Sequence, residues 1–312
     1  MFQYAYDVPE GKKIRLIIHT DCKNEADDQY AVAHQLMVPK FDVVGIIAGH
    51  FAKSGERRYP GHGTAKASYD EIMKILDLMH ITEEYRDKVY MGAAVGLPDE
   101  KTPVDSEGAR FIVEEAMKDD PRPLFIGMQG AITDLAAAIL LEPRICSRMT
   151  AIWIGGGTYP EGGNEFNLFQ DINGANVVFS SSMPLWQVNK DVYKQMSVTL
   201  AELQLKVRPY GAIGRYLFDQ MADFSRMVPE GIWPHGETWG LGDQGVIGCL
   251  LEEVEKTEIY DEVEAPNFDP ETMAYVYGRS NRKIRVYRQL DSRLVLEDFF
   301  ARLQLNFPKQ DS

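Results

Sequence analysis

Short apolar runs rich in β-branched residues alternate with stretches of helical periodicity through the first two thirds of this 312-residue chain. Residues 14–18 read as a buried strand, 26–37 as a helix that stops before Pro39, and 43–48 as the next strand. A helix follows over 64–79, with Ile72, Ile75, Leu76 and Met79 at helical spacing. The alternation continues with strand 89–92, helix 106–117, strand 124–127, helix 133–141, strand 151–154, helix 174–179 and strand 185–188. Repeated β-then-α units require crossover connections, which run the strands in parallel and lay helices on both faces. The expected class is therefore α/β: an open, mostly parallel central sheet flanked by helices, in one domain over 1–312. Residues 192–255 read as mostly helical. The tail reads as strands 273–277 and 283–287 and a closing helix, 296–303.

Charge narrows the partners. The chain carries 47 acidic against 33 basic residues, a net charge of −14, which disfavours nucleic acid and anionic membrane surfaces. No apolar stretch approaches the length of a bilayer span, and the first residues show no basic-then-apolar leader. Cys22, Cys146 and Cys249 are odd in number and lack metal-ligand spacing, so a reducing compartment is expected, with the cytoplasm as default. Neither a Gly-x-Ser-x-Gly elbow nor a phosphate-binding Gly-Lys-Ser/Thr loop is present. Gly155-Gly156-Gly157 runs into Thr158-Tyr159-Pro160, which does not open a helix as a dinucleotide loop does.

In open parallel sheets ligands bind beyond the carboxyl ends of the strands. After the first strand come His19-Thr20-Asp21, then Asn24, Glu25, Asp27 and Asp28; after the second, Gly49-His50. Gly130-Ala131-Ile132-Thr133-Asp134 follows strand 124–127, and Asn164-Glu165-Phe166-Asn167 follows the Gly-rich turn. Carboxylates crowded this closely repel one another unless a cation is present. Oxygen donors without a His or Cys cluster suit Ca²⁺ or Mg²⁺ better than Zn²⁺. Asp27 and Asp28 would equally suit a helix start, as dipole partners or an N-cap. On these residues alone both readings stand.

Four segments in order carry a resemblance. Thr20-Asp21 with Asp27-Asp28 resembles the Asp-Thr-Asp-Pro-Gly-x-Asp-Asp signature of the inosine–uridine nucleoside hydrolase superfamily. Gly130 through Ala136 resembles that family's Gly-Pro-Leu-Thr-Asn-Leu-Ala. Ile154 through Gly157, followed by Glu165-Phe166-Asn167 and Asp171, is similar to its Gly-Gly turn, Glu-Phe-Asn and Asp. Gly242-Asp243-Gln244-Gly245-Val246 resembles its late His-Asp segment. The resemblance runs over about 12–300 and implies a metal-dependent hydrolase that cleaves the N-glycosidic bond of ribonucleosides to ribose and free base. It implies one Ca²⁺, with Mg²⁺ the second choice, held by Asp21, Asp28, the Thr133 backbone carbonyl and Asp243. Asp21 would also activate a cation-bound water. Asp27, Glu165 and Asn167 would hold the ribose hydroxyls. A small-molecule nucleoside or ribosyl substrate is implied, and a homodimer or homotetramer, with neither nucleic acid nor membrane as partner.

The departures raise further expectations. Residues 22–26 separate Asp21 from Asp27, five positions where the commoner signature has three, so Asn24 or Glu25 is a candidate to enter the site. His50 stands where the common pattern has Asn and is read either as a ribose or water contact or as a supporting residue. Gly242 replaces the late His. His235 is the alternative leaving-group acid or base contact, in Trp233-Pro234-His235-Gly236-Glu237-Thr238-Trp239. Trp233 and Trp239 are read as stacking faces for a nucleobase or as packing residues. Asn164 takes the place of the family's upstream Asn. The alternatives are a same-fold hydrolase acting on another ribosyl or glycosyl compound, or a non-catalytic nucleoside- or sugar-binding protein.

Overall fold

The structure, a computed structural model, describes residues 2–310 apart from 62, 229, 231–234 and 253–258. Twelve strands are present among the described residues: β1 (Ile14–Thr20), β2 (Phe41–Ala48), β3 (Val89–Met91), β4 (Leu124–Met128), β5 (Thr150–Ile154), β6 (Leu185–Val188), β7 (Ser197–Thr199), β8 (Thr238–Gly240), β9 (Tyr260–Glu264), β10 (Asn267–Phe268), β11 (Tyr275–Val276) and β12 (Lys283–Tyr287). Eight form the central sheet in the order β3-β2-β1-β4-β5-β6-β12-β9. All neighbours pair in parallel except β9, which runs antiparallel along β12. The pairs β7–β8 and β10–β11 are small antiparallel ribbons.

β1 is buried along its whole length, as a strand covered on both faces must be. Leu16 and Ile18 enter one core with Tyr30, Ile72, Ile75 and Phe299, whereas Ile17 enters the other with Ile112, Leu135 and Phe179. Each such side chain contributes roughly 1.5–3 kcal/mol on burial. The helices Asp28–Met37, Thr64–Leu78, Gly245–Leu251 and Ser292–Asn306 supply the first core, and Glu107–Met117, Thr133–Leu141 and Ile172–Ser180 the second. No helix among the described residues is long and apolar enough to cross a membrane.

Several boundaries differ from expectation for physical reasons. The first helix starts at Asp28 rather than 26, because the chain turns at Asp21, whose carbonyl accepts from the Lys23 and Asn24 amides. The stretch 192–255 holds the helices Leu200–Lys206, Gly211–Met227 and Gly245–Leu251, but also the β7–β8 ribbon. β9, Tyr-Asp-Glu-Val-Glu, was not expected as a strand: an edge strand can carry charge and so lacks the apolar signal.

The fold places the chemistry. Strand order reverses between β1 and β4, and such a reversal opens a crevice at the carboxyl ends of the strands. Thr20 is level with Ala48, and His19 with Met128, so the loops after β1, β2 and β4 emerge side by side.

Candidate active site

Asp21 is fully buried at the start of the crevice. Its Oδ1 accepts from Asn24 Nδ2 at 2.7 Å, while its Oδ2 has no partner. Gly130, in the loop after β4, makes the room: a Cβ there would lie 2.8 Å from the Asp21 carboxyl carbon. Asp28 accepts from Thr20 Oγ1 at 2.5 Å through Oδ1, and its Oδ2 is likewise buried without a partner. Asp27 holds the N-cap position but its side chain caps nothing in the helix. It instead accepts from the backbone amide of Asp243 at 3.4 Å. Asp243 arrives from the turn Gly242–Gln244, and Gln244 Oε1 lies 2.6 Å from His34 Nδ1 on the first helix. Asp27, Asp28 and Asp243 each offer a carboxylate oxygen within 4.8 Å of the others.

These groups are held against their own charge. Burial, together with the Asp27 carboxylate, pushes Asp28 up to about 8. Burial raises Asp27 to about 6, even though backbone amides oppose it. Asp21, Asp243 and Glu25 are all driven well above the carboxylate range, first by burial and then by the other acids. Lys23, the nearest cation in the loop sequence, turns away to Glu71 at 2.9 Å. Hard oxygen donors, two orphaned buried oxygens and uncompensated negative charge fit a divalent cation. Glu25 adds to the same field, acting on Asp21, Asp243 and Tyr193, so the lengthened loop brings a further carboxylate to the rim.

A second acidic pole lies beyond β5. Glu165 caps the helix Phe166–Gln170, its carboxylate accepting from the backbone amides of Gly156, Asn167 and Leu168 at 3.0, 3.2 and 2.9 Å. Tyr193 Oη donates to it as well, at 3.2 Å. Asn167 is buried, and its amide donates to the Ile154 carbonyl at 2.8 Å. Asn164 is exposed, its backbone carbonyl accepting from Lys190 Nζ.

His50 and Thr133 join in a chain of defined direction. The Ala52 amide donates to His50 Nδ1 at 3.3 Å, which leaves the proton on Nε2. Nε2 donates to Thr133 Oγ1 at 2.8 Å, and Thr133 donates to Asp171 at 2.6 Å. Burial lowers His50 to about 4, so the ring is neutral. Both its nitrogens are engaged within the protein, the arrangement of the supporting reading.

The profile of the family described as inosine-uridine preferring nucleoside hydrolase matches residues 16–297. The chain belongs to that family. The inosine-uridine preferring nucleoside hydrolase of Leishmania major is 32% identical over 145 residues, 45% of this chain and 46% of that protein. That match spans about half the length of the relative. A probable uridine nucleosidase 2 of Arabidopsis thaliana is 26% identical over 229 residues, 66% of this chain and 68% of its own length. Among solved structures, a purine-preferring ribonucleoside hydrolase from Gardnerella vaginalis shares the fold with a TM-score of 0.71 at 20% identity, covering 93% of this chain and 98% of that one.

Within this nucleoside hydrolase fold, other expected residues lie elsewhere. Trp239 is buried in the core, its ring 5.7 Å from that of Phe224 at 83°. This corrects the stacking-face reading, since an indole packed between core side chains offers no open face to a base. His235 is exposed, next to residues that are not described, and Trp233 lies outside the described residues. Two residues had no role assigned to them from the sequence. One is Tyr193. The other is His19, whose Nε2 lies 2.9 Å from Asp134, which also accepts from Ser106 Oγ and the Ala93 amide. The signal for this pair was available: His19 and Asp134 stand where the family signature has Asp and Asn.

Proposed function

We propose that this chain is a metal-dependent N-glycosyl hydrolase that splits a ribonucleoside, or a closely related riboside, to ribose and free base. The observation that carries the reading is the acidic crevice, with two buried carboxylate oxygens that have no partner in the protein. Family membership supplies the reaction class. When bound, a hard divalent cation, Ca²⁺ in this reading, supplies charge that favours deprotonation of water and anchors vicinal hydroxyls. Asp28 and Asp243, with Asp21 and the Thr133 carbonyl, would hold it; Asp27, which shares the triad geometry, is either a further ligand or a ribose contact.

Asp21 is assigned as the base. Asn24 fixes one of its oxygens and leaves Oδ2 to take the proton of an attacking water. Cleavage of a glycosidic bond builds positive charge on the sugar, and the surrounding carboxylates, Glu25 and Glu165 among them, oppose none of it. Glu165 and Asn167 are already oriented by backbone contacts, so the ribose meets pre-set groups. The His50–Thr133–Asp171 chain holds the floor of the site. The enzyme acts as a single domain and as a homodimer or homotetramer in the cytoplasm, a setting that suits three buried free cysteines.

The test is product analysis. Incubation with Ca²⁺ and a panel of purine and pyrimidine ribonucleosides should release free base and reducing sugar in equal amounts. Turnover of an aryl glycoside with no nucleoside cleaved would replace this reading with that of another glycosidase. Metal binding with no turnover of either would make the chain a binding protein.

A further inference from the structure

Tyr193 closes the short helix Lys190–Tyr193 that follows β6, at the same rim as the acidic crevice. Its ring lies on the backbone of Gly242, the residue before Asp243. A Cβ built on Gly242 would come within 3.0 Å of the ring Cδ2 and 3.4 Å of Cγ. At the other end, its hydroxyl donates to Glu165 at 3.2 Å, and among the described residues this is the only side-chain donor that Glu165 has. The charged groups that face the phenol are Glu165, Glu25 and Asp243. One half-buried aromatic ring thus spans the gap between the acid triad and the Glu165 pole. Gly242 is what admits it: any side chain there would need the ring to move.

Carboxylates suit sugar hydroxyls, but a ring face does not need them; it suits a planar, weakly polar group. A ring placed at the edge of a sugar-binding set of carboxylates therefore borders the place where the aglycone sits. We propose that Tyr193 is a specificity-determining residue of this site: its ring takes the volume beside Gly242 and limits the size of leaving group accepted, and its hydroxyl positions Glu165 for the sugar. The inference rests on the N-glycosyl hydrolase reading and deepens it.

The experiment is steady-state kinetics of the full chain with Ca²⁺ on inosine, uridine and 4-nitrophenyl β-riboside. The enzymes compared are the wild type, Tyr193→Phe, Tyr193→Ala and Tyr193→Ala with Gly242→Ala, each checked for an unchanged melting temperature. Tyr193→Phe keeps the ring and loses the hydroxyl, so KM should rise several-fold and evenly for all three substrates. Tyr193→Ala opens the wall and should shift the inosine-to-uridine ratio of kcat/KM toward inosine by about tenfold, the scale of a filled or emptied pocket volume. Gly242→Ala should lower activity in the wild-type background and be near neutral when Tyr193 is Ala. A ratio that moves by less than about twofold in Tyr193→Ala, or an equal loss on all three substrates, overturns the inference while leaving the hydrolase reading intact. A wild type inactive on every riboside overturns both.

Discussion

Asp28 and Asp134 are the same residue type, both almost fully buried, both in the first turn of a helix at the same rim of the sheet. Their surroundings differ. Asp134 accepts from His19, Ser106 and the Ala93 amide. Burial would raise it, but those hydrogen bonds and the charge of His19 hold it below the ordinary carboxylate value. Asp28 keeps one oxygen without a partner, and burial, with Asp27 beside it, pushes it up to about 8. One carboxylate is completed by the protein. The other keeps an oxygen with no partner among the described residues, which on the proposed reading a cation would meet. The comparison separates scaffold from site without reference to motif, since evolution of a stable core has no use for an orphaned charge.

The largest effect expected on the site side is Asp21→Asn. Removing the assigned base should lower kcat by roughly 10²–10⁴-fold. Its melting temperature should hold or rise, because a like charge leaves a crowded cluster. Near wild-type turnover would sink the base assignment. On the scaffold side Asp134→Ala should do the reverse. It strips His19 of its partner in a fully buried position, at a cost of about 3 kcal/mol in urea unfolding. A loss of activity with full stability would erase the distinction drawn between the two aspartates.

The third expectation concerns pH. In chelator, Asp27 and Asp28 have folded values of about 6 and about 8, above the value of about 3.9 in an unfolded chain. Groups raised on folding stabilise at low pH and lose that contribution as pH climbs through the folded values. The stripped protein should therefore melt lower at pH 8.5 than at pH 5, and saturating Ca²⁺ should recover the difference at pH 8.5, by on the order of 5 °C. A profile that is flat in chelator would show that the carboxylates find their charge balance within the chain. The smallest effect is His50→Asn. With both ring nitrogens engaged internally, the change should cost about 1 kcal/mol of stability and leave the reaction running. Collapse of kcat would promote His50 to a substrate contact.

The sheet was legible because its strands are buried on both faces and so read as apolar runs, Leu16 to Ile18 above all. β9 was illegible because none of its side chains is fully buried and three of the five are acidic. In the site, the crowding of Asp21 through Asp28 is local and could be read from spacing. That Asp27 joins Asp28 and Asp243 within 4.8 Å depends on how the turn Gly242–Gln244 docks, and no spacing reports it. Trp239 read as a possible stacking face because composition does not say which side of an indole is covered. Gly242 was the most informative residue and was read only as a loss: a glycine beside a functional acid also marks space that another side chain, Tyr193, has taken.

On the proposed reading, the orphaned carboxylates belong to a cation that the reaction needs. The direct measurement is ribonucleoside hydrolysis by chelator-stripped protein titrated with Ca²⁺, with the melting temperature followed in the same samples. No turnover is expected without metal, with activity and stability rising together along one saturation curve. Full activity in chelator, or stabilisation by Ca²⁺ with no change in rate, would contradict that reading.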